Sequence, residues 1–554
     1  MEQPPNLLNW SSVSLSPTLD TPAPETNPET PHRPTVGFVS LGCPKNLVDS
    51  EVMMGLLHRG GAQLTPRAED ADILVVNTCS FIDSAKQESV DTILEMVQHK
   101  IANGGRARKL IVAGCLVERY RDEIRRNIPE VDAVVGTGEL EAILEAAGLS
   151  RPAQAPNNSP FPILTSAQID RYASSVNQHS RPEGTGAQLT HETSSSLSSI
   201  PYPLSLSSRP EGDAREAAGR FSRQAWDGAT AALPTYLYSD ETPRILTTPR
   251  ASAYIKIAEG CDHPCSFCII PQLRGKFRSR PLPSIVAEAK SLIAQGVREI
   301  TLIGQDTTCY GEDLGVKDGL ADLLDALAPL PGLKWLRFLY AYPNKITTRL
   351  LESIAHHDNV AKYLDVPLQH ASANVLRRMK RGGSGDRFLQ IIAKARSIVP
   401  GILLRTSFIV GFPGETEEDF NELLAFVQAA KIDWLGVFSY SDEEGAQAFG
   451  EPSESKVPKR TIESRRKKLM KLQQKISKRA RSQWIGREIE VLVEGESDET
   501  ELLWQGRGID MAPEIDGKVL INDFGPHETL VPGTFYRAEI TESHDYDVVA
   551  RIIE

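Results

Sequence analysis

The stretch AYIKIAEGCDHPCSFCIIP, residues 253–271, joins a β-type apolar run to three closely spaced cysteines. Cys261, Cys265 and Cys268 follow the run with the spacing C-x3-C-x2-C. A disulfide uses two thiols, whereas a closed zinc site or an ordinary iron–sulfur cluster uses four ligands. Three thiolates in one loop therefore predict a soft-metal centre that lacks one ligand. His263 lies inside the motif and is available to complete a zinc site, so zinc stays open as an alternative.

This stretch begins a series of six β-type runs with helical patterns between them. Each run ends in polar or glycine-rich residues, which predicts a βα-barrel with function at the carboxyl ends of its strands. Six units are fewer than the eight of a complete barrel, so we expect a partial, open barrel over residues 244–455. The six runs are AYIKIAEGC, EITLIGQD, WLRFLYAYP, YLDVPLQH, LLRTSFIVGFPGE and WLGVFSYSDEEG.

Three further apolar runs lie upstream, and each ends in a cysteine. VGFVSLGC, ADILVVNTC and KLIVAGC end at Cys43, Cys79 and Cys115, and successive cysteines are 36 positions apart. A helical pattern follows each run, so residues 35–147 are predicted to form an α/β domain with a parallel sheet. The carboxyl ends of parallel strands share one edge, which predicts a second site built by three cysteines. The alternative is three buried cysteines that act as small hydrophobic residues.

The remaining segments have distinct compositions. Residues 1–34 hold eight prolines and are predicted to be a disordered arm. Residues 148–243 contain SRPEG twice and are predicted to be a low-complexity linker or insertion. Residues 456–484 form a basic amphipathic pattern, predicted to be a connecting helix that is either solvated or in contact with the ribosome or RNA. Residues 485–554 alternate in β fashion between glycine turns, which predicts a small β-barrel.

Length and composition narrow the class of protein. The 554 residues are too many for one hydrophobic core, so several domains are expected. The sequence contains no apolar run long enough to span a membrane and no secretory signal pattern at its start. Seven cysteines in a chain of this length do not indicate a disulfide scaffold. We therefore expect a cytoplasmic protein with reduced thiols and no membrane partner.

The cysteine motif at the end of a first barrel strand resembles the radical S-adenosylmethionine enzymes. The resemblance implies that Cys261, Cys265 and Cys268 hold three irons of a [4Fe–4S] cluster. The fourth iron would bind S-adenosylmethionine, whose cleavage by a cluster electron yields a 5′-deoxyadenosyl radical. The resemblance also places Gln305, Asp306 and Gly411 at the cofactor, with Gln305 and Gly411 as the predicted contacts. Gln369 and His370 also end a strand, where a structural role is equally open.

The order of domains resembles the methylthiotransferases within that superfamily, including a TRAM-like barrel at the end. This resemblance implies a second [4Fe–4S] cluster on Cys43, Cys79 and Cys115, which supplies or relays sulfur. The expected cofactors are therefore two [4Fe–4S] clusters and S-adenosyl-L-methionine, with an electron donor such as flavodoxin or ferredoxin. Cys309 matches neither motif and is interpreted as incidental.

Local motifs resemble the RimO-type branch, which modifies an aspartate of ribosomal small-subunit protein twelve. They include VSLGCPKNLVDSE, NTCSFIDSAKQESVDTI, GQDTTCYG and DVPLQHASANVLRRMKRGG. The branch that modifies tRNA has a GCQMN-like first cysteine motif, which this sequence lacks. The resemblance implies methylthiolation of the β-carbon of that aspartate by a monomeric enzyme. A tRNA adenosine methylthiotransferase and a non-catalytic iron–sulfur or zinc protein are the alternatives.

The charge distribution favours a protein substrate independently of the motifs. Residues 485–554 hold 17 acidic and 5 basic residues, which accounts for the whole net charge of −12. Such a domain would repel the phosphates of RNA and attract a basic ribosomal protein. The other interpretation is that these carboxylates keep the domain soluble.

Overall fold

The structure is a computed structural model that describes residues 33–149, 233–249, 251–497, 500 and 502–554. Most of the predicted arm (1–34) and most of the predicted linker (148–243), including both SRPEG copies, lie outside the described residues. The described residues all belong to one compact unit. No helix within them is long and apolar enough to cross a membrane.

The first domain is a five-stranded parallel sheet with helices. Its elements are β1 (Thr35–Ser40), α1 (Pro44–Arg59), β2 (Gln63–Thr65), β3 (Ile73–Thr78), α2 (Asp83–Val97), β4 (Lys109–Gly114), α3 (Cys115–Asn127), β5 (Ala133–Val135) and α4 (Ile143–Ala147). The strand order is β2-β1-β3-β4-β5. The three predicted runs are β1, β3 and β4, which are neighbours in the sheet. The edge strands β2 and β5 were not predicted because three residues are too few to show a period.

The second domain contains the six predicted strands. Its elements are β6 (Ser252–Lys256), β7 (Ala258–Glu259), α5 (Ile270–Arg274), β8 (Arg278–Ser279), α6 (Leu282–Ala294), β9 (Glu299–Ile303), α7 (Gly319–Leu327), β10 (Trp335–Phe338), α8 (Thr348–His356), β11 (Tyr363–Asp365), α9 (Ala373–Arg378), α10 (Gly385–Ile398), β12 (Leu403–Val410), α11 (Glu417–Ala430) and β13 (Trp434–Ser439).

These strands form an open barrel. The parallel sheets β10-β9-β6 and β11-β12-β13 are joined by a single parallel bridge between Leu336 and Val360. Among the described residues, β6 and β13 do not pair with each other, so the barrel stays open between its first and last strands. The predicted partial barrel is confirmed.

The chain ends in a long helix and a small closed barrel. Helix α12 (Lys459–Ser482) lies within the predicted basic connector. The barrel comprises β14 (Glu488–Glu496), β15 (Trp504–Arg507), β16 (Val519–Asp523), β17 (Phe535–Ser543) and β18 (Val548–Ile552). Its order is β14-β15-β16-β18-β17, and β14 pairs with β17 to close it. This confirms the predicted fold class of a parallel α/β domain, an open βα-barrel and a small β-barrel.

Burial explains which strands the sequence revealed. All six residues of β3 are buried, as expected for a strand covered on both faces of a parallel sheet. Strand β12 instead alternates between partly and fully buried residues, so its period of two is visible in LLRTSFIV. The predictable strands are therefore those with many buried residues.

The small barrel packs against the amino ends of the open-barrel strands. Arg507 donates to Glu299, at the start of β9, over 2.6 Å. Tyr363, at the start of β11, donates its hydroxyl to Asp516 over 2.6 Å. The acidic domain therefore lies at the end of the open barrel opposite to the predicted site.

The first domain covers the other end of the open barrel. Lys256, the last residue of β6, donates to Asp49 of α1 over 2.5 Å. Lys45 of α1 reaches the carbonyl oxygen of Gly304, directly after β9, over 3.5 Å. The space between the first domain and the carboxyl ends of the barrel strands is therefore where both cysteine motifs face each other.

Residues 233–249 connect the two larger domains without forming a helix or strand. Arg244 forms ion pairs with Glu51 of α1 over 2.6 Å and with Glu288 of α6 over 2.8 Å. Tyr238, which falls in the range predicted as linker, is only 3% exposed. This end of the range therefore packs against the folded domains.

Candidate functional site

The structure brings Cys43, Cys79 and Cys115 to the same edge of the first sheet. Cys43 is the N-cap of α1, Cys79 follows β3 and Cys115 begins α3. A Cβ atom on Gly42 would lie 3.1 Å from the sulfur of Cys79, so the turn before Cys43 approaches that cysteine closely. The three thiols interact electrostatically, and burial raises the pKa of Cys79 and of Cys115.

Arg274 connects this cysteine set to the barrel. Its Nη2 atom donates to the sulfur of Cys115 over 3.5 Å, and its Nη1 atom donates to Asp49 over 2.6 Å and to Glu259 over 3.3 Å. Lys256 contacts the same two carboxylates at 2.5 Å each. The two positive charges and the two negative charges thus neutralise one another in a buried cluster. Burial alone would lower the pKa of Arg274, but Cys115 and the two carboxylates raise it.

Cys261, Cys265 and Cys268 lie in the loop between β7 and α5. The Cys268 amide donates to the carbonyl of Cys265 over 3.2 Å, which bends the loop, and the three thiols interact electrostatically. Burial raises the pKa of Cys261 to about 11 and that of Cys268 to about 12. Arg381 donates to the sulfur of Cys265 over 3.5 Å. Metal binding at these thiols would therefore release protons, with a cation in place to balance the thiolates.

One group of three candidate metal ligands includes His263 of the second cysteine motif. Among the described residues, the donor atoms of His263, Asp306 and Cys309 all lie within 4.8 Å of one another. Zinc and iron–sulfur clusters both bind thiolates, so the thiol chemistry of the two cysteine sets fits either centre.

His263 is held by hydrogen bonding and stacking rather than aimed at the cysteines. Its Nε2 atom is 2.6 Å from Asp306, which also accepts from the thiol of Cys309 over 3.0 Å. Its ring stacks on Tyr342 with centroids 3.9 Å apart. Burial would raise the pKa of Asp306, but its hydrogen bonds outweigh burial and lower that pKa. The sequence alone did not connect Cys309 to this group.

The side chain of Gln305 has one engaged and one unpartnered polar atom. Its amide nitrogen donates to Glu259 over 2.6 Å, while its amide oxygen is buried and has no hydrogen-bond partner. A buried acceptor without a donor is costly unless a ligand supplies one. Gln305 follows β9 at the barrel rim, next to the loop of the second cysteine set. These residues fit a polar cofactor bound beside that set.

Gly411 has a structural reason to be glycine. Its φ is +82°, and a Cβ atom there would lie 2.3 Å from Ile462 of α12. Its amide donates to Glu415, which is ion-paired with Arg465 of α12 over 2.9 Å. This close approach of α12 to the loop explains the residue without a ligand, and the predicted cofactor contact of Gly411 stays a prediction.

Gln369 and His370 form hydrogen bonds within the fold, although the Nε2 atom of His370 is buried without a hydrogen-bond partner. Gln369 has a φ of +70°, and its amide donates to the carbonyl of Ser407 over 2.9 Å. The Nδ1 atom of His370 accepts from the Ser372 amide over 3.0 Å. Burial lowers the pKa of His370 to about 4, so the imidazole is neutral at physiological pH. The prediction that these two residues end a strand is wrong, because β11 ends at Asp365 and both lie in the segment that follows it.

Sequence reasoning missed three basic residues at the site: Lys45, Arg274 and Arg381. A signal was present for Lys45, since it follows Cys43 by two positions in GCPKN. Arg274 and Arg381 lie 159 and 116 positions from the sulfurs that they contact, so no local pattern identifies them.

Comparison with known proteins agrees with this arrangement. Residues 35–136 match Uncharacterized protein family UPF0004, residues 255–427 the Radical SAM superfamily and residues 485–553 the TRAM domain. A radical S-adenosylmethionine methyltransferase of known structure, TsrM from Kitasatospora setae, is 15% identical and covers 74% of this chain and 73% of its own, with a TM-score of 0.43. So distant a likeness says nothing of this chain's function.

Full-length relatives are much more similar. The ribosomal protein uS12 methylthiotransferase RimO of Koribacter versatilis is 64% identical over 98% of this chain and 99% of its own length. The proteins of the same name from Solibacter usitatus and Geobacter sulfurreducens are 52% and 43% identical, each over 94% of this chain and over 94% and 98% of their own lengths. These relatives favour the ribosomal-protein branch over the tRNA branch and over a non-catalytic metal protein. The predicted resemblance is confirmed, and the chain belongs to the RimO family of radical S-adenosylmethionine methylthiotransferases.

Proposed function

We propose that this enzyme inserts a methylthio group at the β-carbon of an aspartate in ribosomal protein uS12. The observation that carries the proposal is the pairing of two cysteine sets across one interface, linked by Arg274, in a chain 64% identical to a protein of that activity. One S-adenosylmethionine would supply the methyl group and another the radical. The geometry suits a reaction that needs two centres close to the same carbon atom.

We propose that each cysteine set holds one [4Fe–4S] cluster. Cys261, Cys265 and Cys268 would hold the cluster that binds S-adenosylmethionine, and Gln305 would offer its unpartnered oxygen to that cofactor. Cys43, Cys79 and Cys115 would hold the second cluster. When bound, these groups supply hydrogen-atom abstraction and sulfur transfer.

The chain's own residues would hold and shield the reacting groups. Arg274 and Arg381 place positive charge against one sulfur of each set, which offsets the charge of bound thiolates. The first domain covers the carboxyl ends of the barrel strands through α1, which limits the access of water. The role of this framework is to position the substrate and keep radical chemistry away from solvent.

The acidic small barrel supports a basic protein as substrate. Its exposed carboxylates include Glu488, Glu496, Asp523, Glu528 and Glu542. Because this domain packs at the opposite end of the open barrel from the cysteines, it would contact parts of uS12 distant from the target aspartate. A monomer that works in the cytoplasm with a reduced flavodoxin or ferredoxin remains our prediction.

Anaerobic reconstitution tests the proposal. The enzyme would be loaded with iron and sulfide, supplied with a reductant and S-adenosylmethionine, and offered uS12 and tRNA separately. We expect about eight irons per chain and a methylthio group on one aspartate of uS12. Modification of tRNA without modification of uS12 would refute the substrate, and one zinc without cofactor cleavage would refute the enzyme class.

A further inference from the structure

Lys45 lies at the interface between the first domain and the rim of the open barrel. It occupies the first turn of α1, two residues after Cys43, and is only 8% exposed. Its ammonium is 3.5 Å from the carbonyl oxygen of Gly304 and 3.4 Å from the ring centroid of Tyr340. Gly304 follows β9 and Tyr340 follows β10, so both belong to the barrel rim. The side chain therefore spans from the first domain to the mouth of the barrel.

No carboxylate neutralises Lys45 among the described residues, and the groups that interact with its charge include the Tyr340 hydroxyl and the Cys43 thiol. Within the described ranges, no carboxylate oxygen lies within 4.0 Å of its ammonium, whereas the other buried lysine, Lys256, contacts Asp49 and Glu259 at 2.5 Å each. Those two carboxylates are also engaged by Arg274, so neither is free for Lys45. Burying an ammonium is costly, and a ligand carboxylate beside it would offset part of the desolvation of its charge.

The surroundings hold this ammonium in place. Tyr340 has a φ of +66°, which is unusual for a residue with a side chain, and its amide donates to Asp365 over 2.9 Å. Such backbone conformations persist where the surrounding structure enforces them, and they concentrate at binding sites. The ring of Tyr340 therefore provides a fixed face for the ammonium, with the remaining N–H donors available to a ligand.

We propose that the ammonium of Lys45 binds the side-chain carboxylate of the substrate aspartate. The inference rests on the proposed function and deepens it, because it names the enzyme side chain that recognises the carboxylate of the substrate residue. The β-carbon of aspartate is bonded directly to the carboxyl carbon. An ion pair with Lys45 therefore places the reacting carbon within the space shared by the two cysteine sets. A charge pair excluded from water also gives strong selection against neutral analogues.

The test combines enzyme variants with a neutral substrate. Lys45→Met keeps the length of the side chain and removes its charge, and Lys45→Arg keeps the charge. Each reconstituted holoenzyme would be given uS12 and a uS12 variant whose target aspartate is replaced by asparagine. The readouts are kcat/KM for methylthiolation, iron content, and cleavage of S-adenosylmethionine.

We expect the unaltered enzyme to prefer the aspartate substrate by about 100-fold or more. Lys45→Met should lose about 100-fold toward aspartate and keep little preference over asparagine, with iron content unchanged. Lys45→Arg should recover part of the preference. Lys86→Met is the matched control, because Lys86 also joins the first domain to the barrel, through Glu443 over 3.2 Å. It should retain the full preference for aspartate.

Several outcomes would overturn the role of Lys45. One is an unchanged preference for aspartate in Lys45→Met. Another is an equal loss toward both substrates or a loss of iron, which would indicate that Lys45 supports the fold or the nearby cluster. An unaltered enzyme that leaves uS12 unmodified would instead overturn the proposed function, and the role of Lys45 with it.

Discussion

The guanidinium of Arg274 lies 3.5 Å from the sulfur of Cys115, a residue 159 positions earlier in the chain. The same guanidinium is 3.3 Å from Glu259, which precedes Cys261 by two residues. One buried cation thus contacts the surroundings of both cysteine sets. In a low-dielectric interior such contacts are strong and depend on one another, so changes on one side of the interface are expected to affect the other.

Arg274→Gln should destabilise the interface between the first domain and the barrel. Without the guanidinium, Asp49 and Glu259 share a single cation, Lys256, in a buried setting. Breaking a buried ion pair costs about 3–5 kcal/mol. Urea unfolding followed by tryptophan fluorescence would measure the loss. Arg67→Gln is the control, because its guanidinium is 66% exposed and its removal should cost less than about 1 kcal/mol.

Removing one cysteine from each set in turn should show which activity depends on which centre. Cys265→Ala should reduce iron from about eight to about four per chain and abolish cleavage of S-adenosylmethionine. Cys115→Ala should lose a similar amount of iron, keep cofactor cleavage and form no methylthiolated product. Iron and sulfide analysis with chromatography of the cleaved cofactor would distinguish the two. Cys309→Ser should keep all the iron, and a loss of iron there would contradict the assignment of ligands.

Arg381→Gln should lower the reduction potential of the centre built on Cys265. A cation near a cluster sulfur stabilises the reduced, more negative state, so its removal should shift the potential down by on the order of tens of millivolts. Redox titration followed by electron paramagnetic resonance would measure the shift. Arg377→Gln, at an exposed side chain of the neighbouring helix α9, is the control. Equal potentials in both variants would show that the contact does not tune the cluster.

Acid should weaken the attachment of the small barrel through Glu299. Burial would raise the pKa of Glu299, but Arg507 and Arg337 outweigh it and lower that pKa to about 2. The unfolded carboxyl has a pKa near 4.5, so its contribution to stability is complete above pH 4.5 and is lost as the pH falls to about 2. The side chain is only 1% exposed, and the contribution is on the order of 3 kcal/mol.

Glu299→Gln should therefore be less stable at pH 7 and should lose less stability between pH 4.5 and pH 2 than the unaltered protein. Unfolding by urea at a series of pH values would show this as converging curves. Parallel curves for the two proteins would contradict the assigned ion pairs.

Reversing charge on the small barrel should weaken the binding of uS12. Asp523, Glu528 and Glu542 are exposed carboxylates of this domain, and replacing all three by lysine should raise KM for uS12 by about 10-fold at low salt with little change in kcat. Salt should reduce the difference, since it screens exposed charges. Steady-state kinetics at two ionic strengths would measure both effects.

The control for that experiment places the same charge change on another domain. Asp122, Glu130 and Glu145 are exposed carboxylates of the first domain. Their replacement by lysine changes the net charge of the chain equally. A similar rise in KM in this control would show that net charge, rather than the acidic barrel, attracts the substrate.

The order of domains could be predicted because the relevant signals are local. Continuous apolar runs identified β1, β3 and β4, and the six barrel strands begin within or beside the predicted runs but end earlier than these runs do. The convergence of Cys43, Cys79 and Cys115 followed from a general property of parallel sheets rather than from contacts. The short strands β2 and β5 carried too few residues to show a pattern.

The sequence by itself determined which cysteines form two sets, the parallel and open character of the sheets, and the acidic nature of the last domain. Spacing, periodicity and charge are properties of the chain that do not require its folded state. Only the tertiary structure decided that Arg274 and Arg381 contact the sulfurs, that Gly411 accommodates Ile462, and that Lys45 meets Gly304 from 259 positions away. Those relationships arise when separate domains pack together, and close packing between distant residues leaves no periodic trace in the sequence.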